Sequence, residues 1–296
     1  MTGRIIVVGD IVTDVLAVYN GQLVTDSDTP ARVALTAGGS AANTATWLAA
    51  AGTPVTMVGV VGDDAAGDAR LGELTAAGVD AVVRQVADAA TGTVVVLSRA
   101  DERTMLCDRG ANARLTEADI DRALAAAGDA VHLHLSGYAL FDGESRPAGR
   151  YALAAARAAG LTTSVDAASA GPLRRVGGAR FLDWVHGTDV LLANLDEAVV
   201  LVGAPDPVPL AGYARHAVVK RGADGASWAT SGSSPVDVPA QPARAVDVTG
   251  AGDAFAAGLL RAWLAGAPPV DALREGARLG AAAVSVAGAR PPATRA

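Results

Sequence analysis

The sequence predicts an α/β protein: a mostly parallel sheet with helices on both faces, and a smaller β element set apart from it. Three observations predict it. From Thr116 onward, short apolar runs of strand length alternate with segments whose apolar residues recur at helical spacing. Two stretches, roughly 15–37 and 92–108, break that rhythm with hairpin-like alternation and turn signals. A loop of small residues, Gly250-Ala251-Gly252, leads into the helical run Asp253-Ala254-Phe255-Ala256-Ala257-Gly258-Leu259-Leu260.

Taken in order, residues 4–8 read as a fully buried strand, the opening of a parallel sheet. Gly9-Asp10-Ile11-Val12-Thr13-Asp14 follows and lacks the Gly-x-Gly-x-x-Gly spacing of a dinucleotide-binding start. Residues 15–37 alternate apolar and polar and carry Asn20-Gly21, a hairpin turn signal. Ala42, Ala45, Leu48 and Ala49 then repeat at helical spacing, and Gly52 stops that helix. A buried strand at 55–61 and a helix at 65–77 follow, then strands around 82–83 and 93–99. Asp101-Glu102 reads as a turn from which 103–107 pairs back. Further strands are expected at 131–135, 162–165, 190–192, 217–220 and 226–230, with a loop closing the first of them. Helices are expected at 117–127 with Thr116 as N-cap, and at 150–159, 181–186, 196–202, 253–265 and 270–286. No repeat or linker interrupts the chain, so 1–296 reads as a single domain with a frayed tail at 291–296.

Composition narrows the function. Hydrophobic residues make up 51% of the chain but aromatics only 4%, so the core is built from Ala, Val and Leu. A net charge of −7 argues against a nucleic-acid partner, because phosphate backbones demand a basic face. Cys107 stands alone, which permits no internal disulfide and fits a reducing cytoplasm. The apolar run 5–8 is too short for a membrane span or a signal peptide. His132, His134, His186 and His216 show no metal-ligand spacing; His132 and His134 share one side of a strand and read as core or rim.

The chemistry concentrates at the glycine loop. The first N–H groups of a helix lack internal partners and the dipole there favours negative charge. A loop without side chains at Gly250, Ala251 and Gly252 therefore lets an anion touch the backbone. Asp253 places a carboxylate beside that anion. Two negative charges side by side repel unless the chemistry requires both, and phosphoryl transfer to a hydroxyl does. The loop then holds the developing charge and Asp253 takes the proton. A helix start should keep the Asp253 pKa low. On its own, the same segment also reads as a capped helix. Asp14, just past the first strand, is a carboxylate able to accept two hydroxyls, with Asp10 as its competitor. Gly38 and Gly39 let a ligand approach the backbone, and Asn43 offers both a donor and an acceptor.

Asp247-Val248-Thr249-Gly250-Ala251-Gly252-Asp253-Ala254-Phe255 resembles the C-terminal signature of the ribokinase-like carbohydrate kinases of the phosphofructokinase B type. Gly38-Gly39-Ser40-Ala41-Ala42-Asn43-Thr44-Ala45 resembles their N-terminal signature, in the family's order and covering essentially the whole chain with it. The resemblance implies a three-layer α/β/α domain with a small β lid, formed by the 15–37 and 92–108 segments. It implies ATP as donor, Mg²⁺ as metal, and a hydroxyl as acceptor, with Asp14, Gly38, Gly39, Asn43 and Asp253 at the acceptor. Asn194 and Glu197 match an Asn-x-x-Glu motif that orients water around Mg²⁺; seen alone they are a helix cap with an acidic first turn.

The same resemblance places Lys220, Gly222, Gly225, Thr249, Gly250, Gly252 and Gly280 along the nucleotide, with Lys220 or Arg221 reaching phosphate. It further implies a potassium site at Asp247, Thr249, Ser285 and Gly288, beside a C-terminal loop that looks short. It also allows a homodimer through the lid. One departure matters: Ser40 stands where ribokinases and the family's phosphofructokinases commonly have Lys. The expected acceptor is accordingly a small sugar carrying no phosphate. A nucleoside kinase is the alternative within the class, weakened because Tyr19 is the only aromatic in the lid segments. A non-catalytic sugar-binding relative is the alternative outside it.

Overall fold

The computed structural model describes residues 3–99 and 102–292. The turn expected at Asp101-Glu102 and the tail beyond Pro292 therefore fall wholly or partly outside the described residues. Strand β1 (Arg4–Val8) sets out the architecture. Ile5 and Val7 enter one apolar cluster while Ile6 and Val8 enter another, so the strand is buried on both faces. That is why its sequence is a continuous apolar run and not an alternation.

The remaining strands are β2 (Val12–Tyr19), β3 (Ala31–Gly38), β4 (Val55–Gly62), β5 (Asp80–Val86), β6 (Gly92–Arg99) and β7 (Glu102–Asp108). After them come β8 (Ala130–Ser136), β9 (Thr162–Asp166), β10 (Thr188–Asn194), β11 (Ala214–Lys220), β12 (Ala226–Thr230) and β13 (Val236–Val238). Nine of them form one sheet in the order β13-β12-β11-β10-β9-β8-β1-β4-β5. All its pairings from β11 to β5 are parallel; β12 and β13 close the edge antiparallel. One face is covered by helices Glu117–Ala126, Arg146–Ala158, Gly178–Val185 and Leu195–Val202. The other is covered by Ser40–Ala50, Ala251–Leu264 and Pro269–Val284. The three-layer expectation is met. The chain leaves β1, continues to β4 on one side and later returns to β8 on the other. The carboxyl end of β1 is thus a topological switch point, where ligands of such sheets bind.

The two segments that broke the rhythm form a separate four-stranded sheet, β3-β2-β6-β7. Its outer strands are antiparallel to their neighbours and its central pair, β2 and β6, is parallel. Val33, Leu35, Met105 and Leu106 of this sheet are exposed.

Differences from the sequence reading are local. The helix expected from 150 begins at Arg146, because Pro147 fits a first turn, where its missing N–H has no partner to lose. Helices at Tyr138–Phe141, Ala170–Val176 and Pro207–Leu210, and β13, are too short to display a period. The first of them replaces the loop expected after β8.

Asp10 is a structural residue. Helix Ser40–Ala50 starts at Gly39 and has no side-chain cap of its own. The Asp10 carboxylate supplies one from across the switch point, accepting from Ser40 N at 2.9 Å, Ala41 N at 3.4 Å and Ser136 Oγ at 3.0 Å. Asp10→Ala should therefore lower stability by about 1–3 kcal/mol, the cost of stranding buried donors. Urea unfolding checks this; an unchanged midpoint would mean that water replaces the carboxylate at no loss.

Candidate active site

Asp14 projects from β2, close to Gly38 at the end of β3. A Cβ on Gly38 would stand 2.4 Å from Asp14 Oδ2, so only glycine leaves room for that carboxylate. Asp14 accepts no hydrogen bond from the described residues, and burial is the main reason its pKa rises to about 6, with Asp10 adding to it. Arg290 and Arg70 pull in the other direction. A largely buried carboxylate with open lone pairs is suited to receive hydroxyls.

Asp253 lies on the first turn of helix Ala251–Leu264. Ser40 Oγ donates to its Oδ1 at 2.8 Å and Asn43 Nδ2 to its Oδ2 at 2.9 Å. Both donors stand on the helix that Asp10 caps. The expected low pKa is overturned: the Asp253 carboxyl is pushed up to about 7. Burial dominates, Asp166 adds repulsion, and the Asn43, Ser40 and Lys220 contributions only partly oppose them. A helix dipole is worth a fraction of a charge, whereas enclosure beside a second carboxylate acts on the whole one.

The loop before Asp253 has the shape the sequence implied. Gly250 is the N-cap with φ 73°, and a Cβ there would sit 2.4 Å from Ala289 O. Gly250 is thus left-handed and pressed against the C-terminal loop at once. Lys220, at the end of β11, reaches under the loop: a Cβ on Gly252 would lie 3.3 Å from Lys220 Nζ. Lys220 is paired with Asp166, a residue at the end of β9 that the sequence reading passed over. Its position at a strand's carboxyl end was the available signal. Arg221 turns away to Asp237, so Lys220 is the cation at the loop.

Beyond Gly252 opens a cavity of about 520 Å³, lined by Lys220, Gly222, Gly225, Phe255, Gly280 and Val284 among others. Its apolar walls and size suit a purine-sized ligand. Lys220, Gly222, Gly225, Gly252 and Gly280 of the expected nucleotide set line it; Thr249 and Gly250 do not.

Asn194 and Glu197 lie outside that lining. They form a reciprocal cap: Glu197 N donates to Asn194 Oδ1 at 2.9 Å, and Asn194 N to Glu197 Oε2 at 2.8 Å. This is the cap weighed against the metal role. Glu197 is nonetheless buried, and that burial raises its pKa to about 7, with Lys220 opposing and Asp166 reinforcing. Two carboxylates crowded around one lysine are a donor set that a hydrated divalent cation would suit.

Asp247 braces the anion loop. Its Oδ1 accepts from Thr249 N at 2.9 Å and Thr249 Oγ1 at 2.7 Å, and its Oδ2 from Gly288 N at 3.1 Å. The Ser285 hydroxyl donates to Ala281 O at 2.8 Å. His132 and His134 are buried core residues.

The structure thus holds a helix start free of side chains and two buried carboxylates, Asp253 and Asp14, near the carboxyl ends of the strands. That defines a phosphotransferase acting on a hydroxyl. The chain belongs to the pfkB family carbohydrate kinases, whose model matches residues 2–296. It is 34% identical over 263 residues to the ATP-dependent ribose-1-phosphate kinase of Halopiger xanaduensis, covering 87% of this chain and 83% of that protein. Its fold matches the probable sugar kinase protein from Rhizobium etli CFN 42 with TM-score 0.89 and 25% identity, covering 98% and 96% of the two chains. An E. coli complex with ATP and Mg²⁺, named for ribokinase II, matches with TM-score 0.81 and 24% identity, covering 100% and 96%.

Asp253→Asn should leave nucleotide binding within a few-fold and cut turnover by about 10²–10⁴, the range for a lost general base. A general base works deprotonated, so with Asp253 in that role wild-type kcat/KM should rise with pH through about 7 and then level off. Turnover of the variant near wild type would remove Asp253 from the mechanism.

Proposed function

We propose that the protein transfers the γ-phosphoryl group of ATP to a hydroxyl of a small sugar that carries no phosphate. The observation that supports this most is Asp253, held by Ser40 and Asn43 on the first helical turn after the glycine loop. Asp14 and Asn43 bind acceptor hydroxyls, with Gly38 and Gly39 leaving backbone room. Asp253 takes the proton of the attacking hydroxyl. A pKa near 7 makes it a fitting base at neutral pH. The N–H groups of Gly250, Ala251 and Gly252 and the Lys220 ammonium meet the charge on the transferring group. Adenosine occupies the cavity between Gly225 and Gly280. Asp166 and Glu197, with Asn194, would hold hydrated Mg²⁺, which would supply positive charge against phosphate oxygens when bound.

The small sheet serves as a lid that excludes water, and its exposed Val33, Leu35, Met105 and Leu106 suit a lid-to-lid homodimer. A reducing cytoplasm is the compartment that fits a lone Cys107. Among the described residues no helix is long and apolar enough to cross a membrane.

A second reading, a sugar phosphate as acceptor, draws on Arg290 and Arg70, whose charges act on Asp14, and on the activity named for the Halopiger protein. Both guanidiniums already have protein partners, which favours the first reading: Arg290 has Asn43, Gly38 and Glu73, and Arg70 has Glu73, Thr13 and Thr36. A nucleoside acceptor is the other competitor.

ATP consumption across free sugars, sugar phosphates and nucleosides decides among them. A free sugar should give the highest kcat/KM; a sugar phosphate well ahead of every free sugar would overturn the assignment. Potassium should activate weakly, because hydrogen bonds already brace Asp247 and occupy the Ser285 hydroxyl. Rates in potassium and in a bulky organic cation at equal ionic strength test it. Identical rates would leave Asp247 only its bracing role.

A further inference from the structure

Arg290 lies in the C-terminal loop, at a position to which the sequence assigns no role. Its side chain is only 13% exposed. Nε donates to Asn43 Oδ1 at 3.3 Å, Nη2 to Gly38 O at 3.2 Å, and Nη1 pairs with Glu73 Oε2 at 3.4 Å. Ala289, the residue before it, is fixed on both sides: its carbonyl accepts from Trp47 Nε1 at 3.0 Å and presses on Gly250.

We propose that Arg290 is a positioning residue for phosphoryl transfer: it fixes which end of the Asn43 side-chain amide faces Asp253, and so holds the base in place. The inference rests on the reading of Asp253 as that base. An asparagine amide has an acceptor end and a donor end of nearly the same shape, and only its partners decide the orientation. A guanidinium can only donate. With Arg290 on Oδ1, the NH₂ group is left facing Asp253, where it donates at 2.9 Å. In the flipped amide, donors would face the guanidinium and Oδ1 would face a carboxylate. Both contacts would turn repulsive.

Arg290 is itself anchored from the lid side. Glu73 accepts from Arg70 Nε at 2.8 Å and Nη2 at 2.6 Å, and Arg70 Nη1 donates to Thr13 Oγ1 at 2.9 Å and Thr36 O at 3.3 Å. Thr13 belongs to β2 and Thr36 to β3, the paired strands of the small sheet that also carry Asp14 and Gly38. A continuous polar path thus runs from the lid through Arg70, Glu73, Arg290 and Asn43 to Asp253. A lid displaced from the acceptor would loosen the base by the same path.

The test compares Arg290→Met with Arg290→Lys, using ATP and the best acceptor of wild type. Around Asp253 stand Ser40 and Asn43 from one helix, Asp166 from β9, Lys220 from β11 and Arg290 from the C-terminal loop. Arg290→Met removes a positive charge and frees the amide, and both changes favour protonated Asp253. Turnover at pH 7 should fall by roughly 10- to 100-fold, the loss expected for one hydrogen bond to a charged group. The acid limb of the pH profile should move to higher pH, while KM for ATP stays within a few-fold. Arg290→Lys keeps one donor for Oδ1 and should restore part of both kcat and the limb. Glu73→Gln, which weakens the anchor without touching Arg290, should shift both in the same direction by less.

A second readout needs no turnover. The Asn43 side-chain amide protons, followed by NMR in the unliganded protein, should exchange slowly in wild type and fast in Arg290→Met. Wild type inert towards every acceptor would remove the kinase reading, and the amide exchange would still decide the role of Arg290. Unchanged kcat and acid limb in Arg290→Met would overturn the proposal, as would unchanged amide exchange. A rise in KM confined to phosphorylated acceptors would overturn it too, because Arg290 would then read the acceptor and not Asn43.

Discussion

Enclosed negative charge is the constraint on which the site depends. Asp253, Asp166, Glu197 and Asp14 crowd the carboxyl ends of the strands, where burial raises three of them well above the ordinary carboxylate range. Lys220 stands among the first three, paired with Asp166 and close under Gly252. That cation offsets the repulsion among the carboxylates, which inside a protein far exceeds that in water. The arrangement holds the Asp253 carboxyl at about 7, beside a helix start free of side chains.

Everything around that cluster fixes distance. Asp10 caps the helix that carries Ser40 and Asn43, and those two hold Asp253 from the other side of the cleft. Asp247 ties the anion loop to Gly288, and Ala289 presses on Gly250. The segments around residues 40 and 290 therefore meet around Asp253 and its loop. Residues near 40 and near 290 are remote in sequence, and the parallel sheet with its switch point at β1 is what brings them together.

Much of this was legible in the sequence, and the limits have physical causes. Long, strongly periodic elements such as helix Pro269–Val284 and buried runs such as β1 announce themselves, because burial imposes the pattern. The segments forming the second sheet were visible as a break in rhythm. Short helices and β13 were not, since one or two turns, or three residues, carry too little of a period. At the site, side-chain-free loops and strand-end carboxylates marked Gly250, Asp14 and Asp253. Asp166 obeyed the same strand-end rule and was overlooked for want of a recognised motif. Arg290 and the Arg70–Glu73 pair could not be read at all: their importance comes from contacts over 217 residues or more of chain. The Asp253 pKa was misjudged because the sequence displays the helix start but hides the enclosure and Asp166.

The central claim is that enclosure, not the helix dipole, sets the protonation of Asp253. The most direct measurement is the titration of the Asp253 carboxyl by carbon NMR in protein labelled at aspartate, with Asp253→Asn identifying the resonance. A midpoint near 7 is the predicted result. A midpoint near the unperturbed aspartate value of about 4 would contradict the account, and would mean that the helix start and its two hydrogen bonds outweigh burial after all.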